Sequence, residues 1–132
     1  MLHQANLCCM KLLTNIKLQL KIEELAMFAL GIFAFNQLTY ARWWFLVLIL
    51  LPDVGALGYY VNAKVGAISY NIFHNKAIAI LVYFIGIYFE SEPLKLTGVI
   101  LFSHASMDRI FGYGLKFPDS FKNTHLGSIG KD

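Results

Sequence analysis

Charge is what this chain has least of. Only 14% of its 132 residues are Asp, Glu, Lys or Arg, against about 25% in an ordinary soluble domain. The 11 Lys and Arg residues are scattered over ends and loops, with a net charge of +3. No basic stripe forms, so nucleic acid is not expected as a partner. Cysteine is nearly missing as well. Cys8 and Cys9 are the only two and stand side by side. Neighbouring cysteines rarely bridge, which excludes a disulfide framework. Next to a membrane segment such a pair is an acylation candidate, though free thiols are the simpler reading. Residues 1–21 lack a long apolar core and a small-residue cleavage site, so a cleavable signal is not expected. Internal repeats and low-complexity tracts are also missing.

What the chain has in excess is apolar surface. It is 58% hydrophobic, with 11 Phe, 7 Tyr and 2 Trp, and its mean hydropathy is +0.57. A soluble core of this size has no use for so many aromatics on so few charges, and a small integral membrane protein is expected. Residues 1–21, with Lys11, Lys17 and Lys21 among leucines, read as an interfacial lead-in. Ile22 to Tyr40 supplies the roughly 20 residues of a first span. Arg42-Trp43-Trp44 is an interfacial anchor. Trp43 to Val61 is a second span, kinked at Pro52-Asp53 because proline removes a backbone donor. Ala67 to Phe89 is a third, and Glu90-Ser91-Glu92-Pro93 a tight loop. Leu94 to Tyr113 is the fourth, with Gly112 and Gly114 suited to a left-handed helix end. The expected fold is therefore an all-α, integral membrane four-helix bundle over residues 22–114, with a tail at 115–132.

Lys and Arg set the orientation. Lys11, Lys17, Lys21, Lys64, Lys76, Lys116, Lys122 and Lys131 fall on one side of four spans, and only Arg42 and Lys95 on the other. The positive-inside rule then puts both termini in the cytoplasm and the chain in the inner (plasma) membrane as a multi-pass protein.

That topology brings ionisable groups to one depth. Glu23 opens the first helix, Asp53 lies past the middle of the second, and His74 lies in the cytoplasmic part of the third. His104 and Asp108, four apart, share one face of the fourth. Each is costly alone in lipid, and a shared polar cavity removes most of that cost. Two His and two or three carboxylates from facing helices suit Zn, Mn or Fe. Glu23, Asp53, His74, His104 and Asp108 are therefore the candidate ligands of a divalent metal. Tyr70 and Asn71, on the side of His74, are candidates to support them. Arg109 is a candidate phosphate clamp. Against this stand plainer roles: a His104–Asp108 packing bond, first-turn acids at Glu23 and Glu24, a helix cap at Asp53, an interfacial His74, and Arg109 reaching lipid headgroups.

The ordered set Leu51-Pro52-Asp53, Tyr70-Asn71-Ile72-Phe73-His74, His104-Ala105-Ser106-Met107-Asp108-Arg109, Gly112-Tyr113-Gly114-Leu115-Lys116 and Thr124-His125-Leu126-Gly127 resembles domain-of-unknown-function family 4260 over about residues 20–130. That resemblance implies a small bacterial membrane protein of about four helices, with a glutamate near Glu23, and implies no activity. A looser similarity links the His and Asp residues to small membrane-bound metal-dependent hydrolases. Their His-Arg and Thr-His pairing is not reproduced, Thr124-His125 being the nearest equivalent.

The leading expectation is a metal-dependent membrane hydrolase with a cytoplasm-facing site, in which Arg109 and Asn71 act beside the metal. Its expected partners are membrane lipid, a membrane-resident or phosphate-bearing substrate, and further copies of the chain as a homo-oligomer. The rival classes are an ion- or proton-binding transporter subunit and a structural protein whose polar cluster fixes packing. A transporter needs polar groups on both sides, and the outer halves carry few beyond Asn36, Gln37, Thr97 and Ser103.

Overall fold

The first helix, α1, runs unbroken from Leu2 to Asn36. Its Leu, Lys, Glu and Ala are good helix formers, and no proline interrupts them. In this computed structural model, which describes residues 1–130, the chain continues as α2 (Trp43–Leu48), a 3-10 helix (Leu51–Tyr60), α3 (Ala63–Phe73), α4 (Lys76–Tyr88) and α5 (Glu92–Ile110). A two-stranded antiparallel hairpin, β1 (Asn123–Thr124) and β2 (Gly127–Ser128), lies in the tail. Lys131 and Asp132, the end of the expected tail, lie outside the described residues. Helix accounts for 72% of the described residues, so the fold is all-α.

The expected boundaries shift in three places. Residue 21 is no helix boundary, because α1 carries the lead-in straight into the first apolar segment. The second segment does not stay α-helical through Pro52. It ends as α at Leu48 and resumes at Leu51 as ten residues of 3-10 helix, a length that marks strain or function. The third segment is two helices bent by 48° at His74–Asn75. There the Asn75 side chain accepts from the amides of Ala77 and Ile78 and starts α4 afresh. Among the described residues, Trp43–Tyr60 alone is long and apolar enough to cross a membrane by itself. The bent pair α3–α4 supplies a second crossing if it is one broken span.

Two hairpins of helices set the site's height. The 3-10 helix and α3 fold back on each other across Val61-Asn62, where Asn62 Oδ1 accepts the Val65 amide at 2.9 Å and caps α3. Asp53 near the start of one arm is thereby level with His74 at the end of the other. α4 and α5 form the second hairpin, so the start of α4 lies beside the end of α5. Helix α1 packs antiparallel on the other side of α5, with Gly31 against Ser103 and Phe35 in one cluster with Val99 and Ile100. Phe45 and Ile49 of the α2 region complete that core.

Polar ties hold the ends. At the start of α5 the Glu92 carboxylate pairs with Lys95 and accepts from Thr39. The Lys95 pairing, with help from Thr39, holds Glu92 below the usual carboxylate range. At the far end of α5, Gly112 takes a φ of +89°. The Tyr113 amide reaches back to the Asp108 carbonyl at 2.8 Å and the Gly112 amide to Arg109 at 3.1 Å, the two bonds of a left-handed glycine cap. Gly112 is thus the helix end the sequence implied. Gly114 has no positive φ. It admits instead the ring of His125, whose Nδ1 accepts the Leu115 amide at 2.8 Å.

Candidate metal centre

Four of the five expected ligands meet. One donor atom each from Asp53, His74, His104 and Asp108 lies within 4.8 Å of every other. His74 Nε2 stands 2.9 Å from His104 Nε2, 3.3 Å from Asp108 Oδ2 and 3.6 Å from Asp53 Oδ1. His104 Nε2 stands 3.3 Å from Asp53 Oδ1 and 3.6 Å from Asp108 Oδ2. A tetrahedral zinc with ligands at about 2.0–2.1 Å separates its donors by about 3.3 Å. The observed edges bracket that spacing.

The other nitrogen of each ring fixes what Nε2 presents. His74 Nδ1 lies 2.8 Å from the Tyr70 carbonyl and His104 Nδ1 lies 2.5 Å from the Ile49 carbonyl. A carbonyl only accepts, so each Nδ1 carries a hydrogen, and a ring in its neutral form then turns a bare Nε2 lone pair inward. Two lone pairs and two carboxylate oxygens then converge on one point. That arrangement is repulsive by itself, and a proton held between the rings or a cation at the centre would relieve it. The backbone-carbonyl bond on Nδ1 is also the usual orienting contact of a metal-bound histidine.

The helix break supplies one of those carbonyls. In a continuous α-helix the Ile49 oxygen would accept the Asp53 amide. Here Asp53 N bonds to Leu50 O instead, at 3.3 Å. The tightening into 3-10 geometry at Pro52 leaves Ile49 O for His104, so the element that carries Asp53 also orients a ring on α5.

Around the donors the packing is uneven. His74 and His104 are 3% and 0% exposed, and Asp108 is half-buried, whereas the Asp53 side chain is 55% exposed. The cluster is closed on the α5 side and open at Asp53. Tyr70 stacks its ring on His74, centroids 3.6 Å apart, and donates its hydroxyl to Asp108 Oδ2 at 2.9 Å. Lys116, 5% exposed, sits 4.5 Å from the Tyr70 ring centroid and donates to the Phe121 carbonyl. Burial pushes its ammonium below the ordinary lysine range, against the opposing pull of Asp108 and Asp53.

The remaining expected residues sit elsewhere. Glu23 is exposed on α1 and is not among the converging donors. It has the right height on the wrong face of the helix. Its neighbour Glu24 faces inward and pairs with Lys76 at 2.5 Å, at the start of α4. Asn71 is held by the tail: its Oδ1 accepts the Lys116 amide at 2.7 Å and its Nδ2 donates to the Lys116 carbonyl at 2.9 Å. It anchors the C-terminal segment rather than facing the donors. Arg109 is closer, with one guanidinium nitrogen donating to the His74 carbonyl at 3.4 Å. The Glu24–Lys76 pair and the Lys116 contact escaped the sequence reading. The available signal for the first was helical phase, since Glu24 and not Glu23 falls on the side of Phe28, Gly31 and Phe35.

No curated protein and no solved structure matches the chain. Residues 17–129 match the profile of a domain of unknown function, DUF4260. That match spans most of the chain and includes every member of the cluster, and the chain belongs to the DUF4260 family.

Proposed function

We propose that this protein is a metal-dependent membrane hydrolase whose divalent ion is held by Asp53, His74, His104 and Asp108. The observation that carries the reading is the convergence of two histidine Nε2 atoms and two carboxylate oxygens at metal-ligand spacing. Two carboxylates and two neutral imidazoles neutralise a divalent ion, and the mixed N and O set suits Zn, Mn or Fe. With both rings neutral, like atoms face one another at the centre, and an ion held there would supply the missing partner.

When bound, such an ion polarises an ester oxygen and activates water. The chain's own groups do the rest. His74 and His104 are locked by their carbonyl bonds, and Tyr70 fixes Asp108. Asp53, on the open side, would hold the ion through Oδ1, the oxygen that faces the two rings, and accept a proton from the attacking water at its other oxygen. Arg109 offers its free donors to a phosphate oxygen in a forked contact.

A membrane setting is supported by the surface. The chain exposes 9096 Å², against about 7,000 Å² for a compact soluble monomer of 15.0 kDa. Much of the excess is apolar, with Phe33, Leu46, Leu81 and Phe84 among the exposed side chains. In this reading the helices cross the inner membrane several times with both termini in the cytoplasm. The Glu24–Lys76 pair and the metal donors then lie toward the cytoplasmic face.

The test is chelator-stripped protein in detergent, reloaded with Zn, Mn or Fe one at a time and assayed for phosphate release from phosphatidic acid. Turnover is expected with one of these ions, lost on chelation and reduced at least about 100-fold in Asp53→Asn. A protein that binds one equivalent of metal and hydrolyses no phosphate-ester lipid would contradict the hydrolase reading.

A further inference from the structure

A groove of about 390 Å³ runs between the α2–3-10 segment and α5, lined at one end by the chain neighbours of two candidate ligands and by none of the four donors themselves. Pro52 and Val54, which flank Asp53, and Phe73, which precedes His74, line it at that end. Along α5 its wall is Pro93, Leu96, Thr97, Ile100 and Leu101. These positions fall at helical spacing on one face, and the next members of the same stripe are His104 and Asp108. The apolar wall therefore leads directly to the ligands.

The lining offers nothing polar along its length. Thr97 is the one side chain there with a hydroxyl, and it donates to the Pro93 carbonyl at 2.8 Å. An extended peptide laid in the groove would leave its amides and carbonyls without partners. A hydrocarbon chain has no such need. Beside the groove's Pro52–Val54 end, the Asp53 carboxylate is 55% exposed. A second groove, between α1, α4 and α5, is equally apolar but includes no residue adjacent to a donor.

We propose that the groove seats one acyl chain of a membrane lipid, head group at the Asp53 side of the cluster and chain end toward Pro93. The wall from Leu101 to Pro93 spans about 12 Å of α5. This deepens the metal-hydrolase reading, on which it rests for the position of the head group. The substrate class that follows is a membrane lipid whose scissile head group lies beside the seated acyl chain, drawn from the bilayer rather than from water.

The experiment uses metal-loaded full-length protein in vesicles of phosphatidylethanolamine and phosphatidylglycerol. Each preparation carries a trace of phospholipid with a photoactivatable diazirine either near the acyl carboxyl or near the chain's methyl end. After irradiation the labelled residues are mapped by mass spectrometry, and bound metal is quantified in parallel. The carboxyl-end probe is expected on Ile100 and Leu101, and the methyl-end probe on Pro93 and Leu96. Thr97→Trp, which fills the groove from an exposed position, should lower both at least about tenfold while metal content is unchanged. Label spread equally over the groove and over Leu81 on the outer face of α4 would overturn the proposal. So would a reversed order of the two probes, or cross-linking of the groove to a second copy of the chain. Metal bound with unselective labelling defeats the groove alone. Selective, ordered labelling without metal defeats the metal reading and leaves the groove standing.

Discussion

Tyr70 touches the cluster twice, through its ring on His74 and its hydroxyl on Asp108, and the two contacts are separable. Tyr70→Phe keeps the stack and deletes one hydrogen bond to the Asp108 carboxylate, a proposed ligand. Loss of such an orienting partner costs about 10–100-fold in metal affinity. Competition against a chromophoric chelator should show that drop in Tyr70→Phe and none in Glu23→Gln, whose side chain is exposed and outside the cluster. Equal affinities in all three proteins would remove Tyr70 from the account. At this scale much was legible. His104 and Asp108 share a face by spacing alone, and Asp53 and His74 stand out as polar residues in apolar runs. Glu23 and Glu24 differ by roughly 100° of helix rotation, and the phase of Phe28, Gly31 and Phe35 was the signal that favoured Glu24 as the inward residue. Asn71 was legible as a neighbour of His74 but not as an anchor, since its partner Lys116 lies 45 residues away.

Among the elements, the 3-10 helix matters most. Pro52 was readable as a break, and beside it Asp53 turns Oδ1 toward the two histidines while its side chain stays 55% exposed. That it also releases the Ile49 carbonyl for His104 depends on two segments 55 residues apart, and no local pattern encodes it. Pro52→Ala restores an amide, which lets the α-helix of α2 continue and returns Ile49 O to the residue-53 amide. His104 then loses its orienting bond. Metal affinity should fall by about 10–100-fold, while the thermal unfolding midpoint changes by only a few degrees, because proline relief and lost packing oppose each other. A collapse of stability as large as the loss of metal would show instead that Pro52 serves packing. The break at His74–Asn75 is the other feature hidden in the sequence. The apolar run from Ala67 to Phe89 reads as one span, yet Asn75 caps a new helix and leaves His74 at the bend. In the proposed membrane setting, irregular backbone there would be tolerated because it lines a polar site.

For the molecule as a whole, the helical class and the pairing of distant motifs followed from hydropathy and spacing, whereas the number of crossings did not. Bent and short helices blur the simple count of apolar runs. Orientation rests on eight Lys on one side against Arg42 and Lys95 on the other. A reporter fused to the C-terminus should be active only in the cytoplasm, and a tag between Ser91 and Pro93 should be reachable only from outside. The opposite pattern would reverse the placement of the cluster. The central claim, that four side chains hold one ion, is tested most directly by elemental analysis of protein purified in detergent, wild type beside His104→Ala and Asp108→Ala. About one equivalent of a divalent transition metal is expected in the wild type and little in either variant, since removing one ligand leaves the remaining charges poorly compensated. Folded wild-type protein that carries no metal and gains none from Zn, Mn or Fe would contradict the claim and leave the cluster as a packing device.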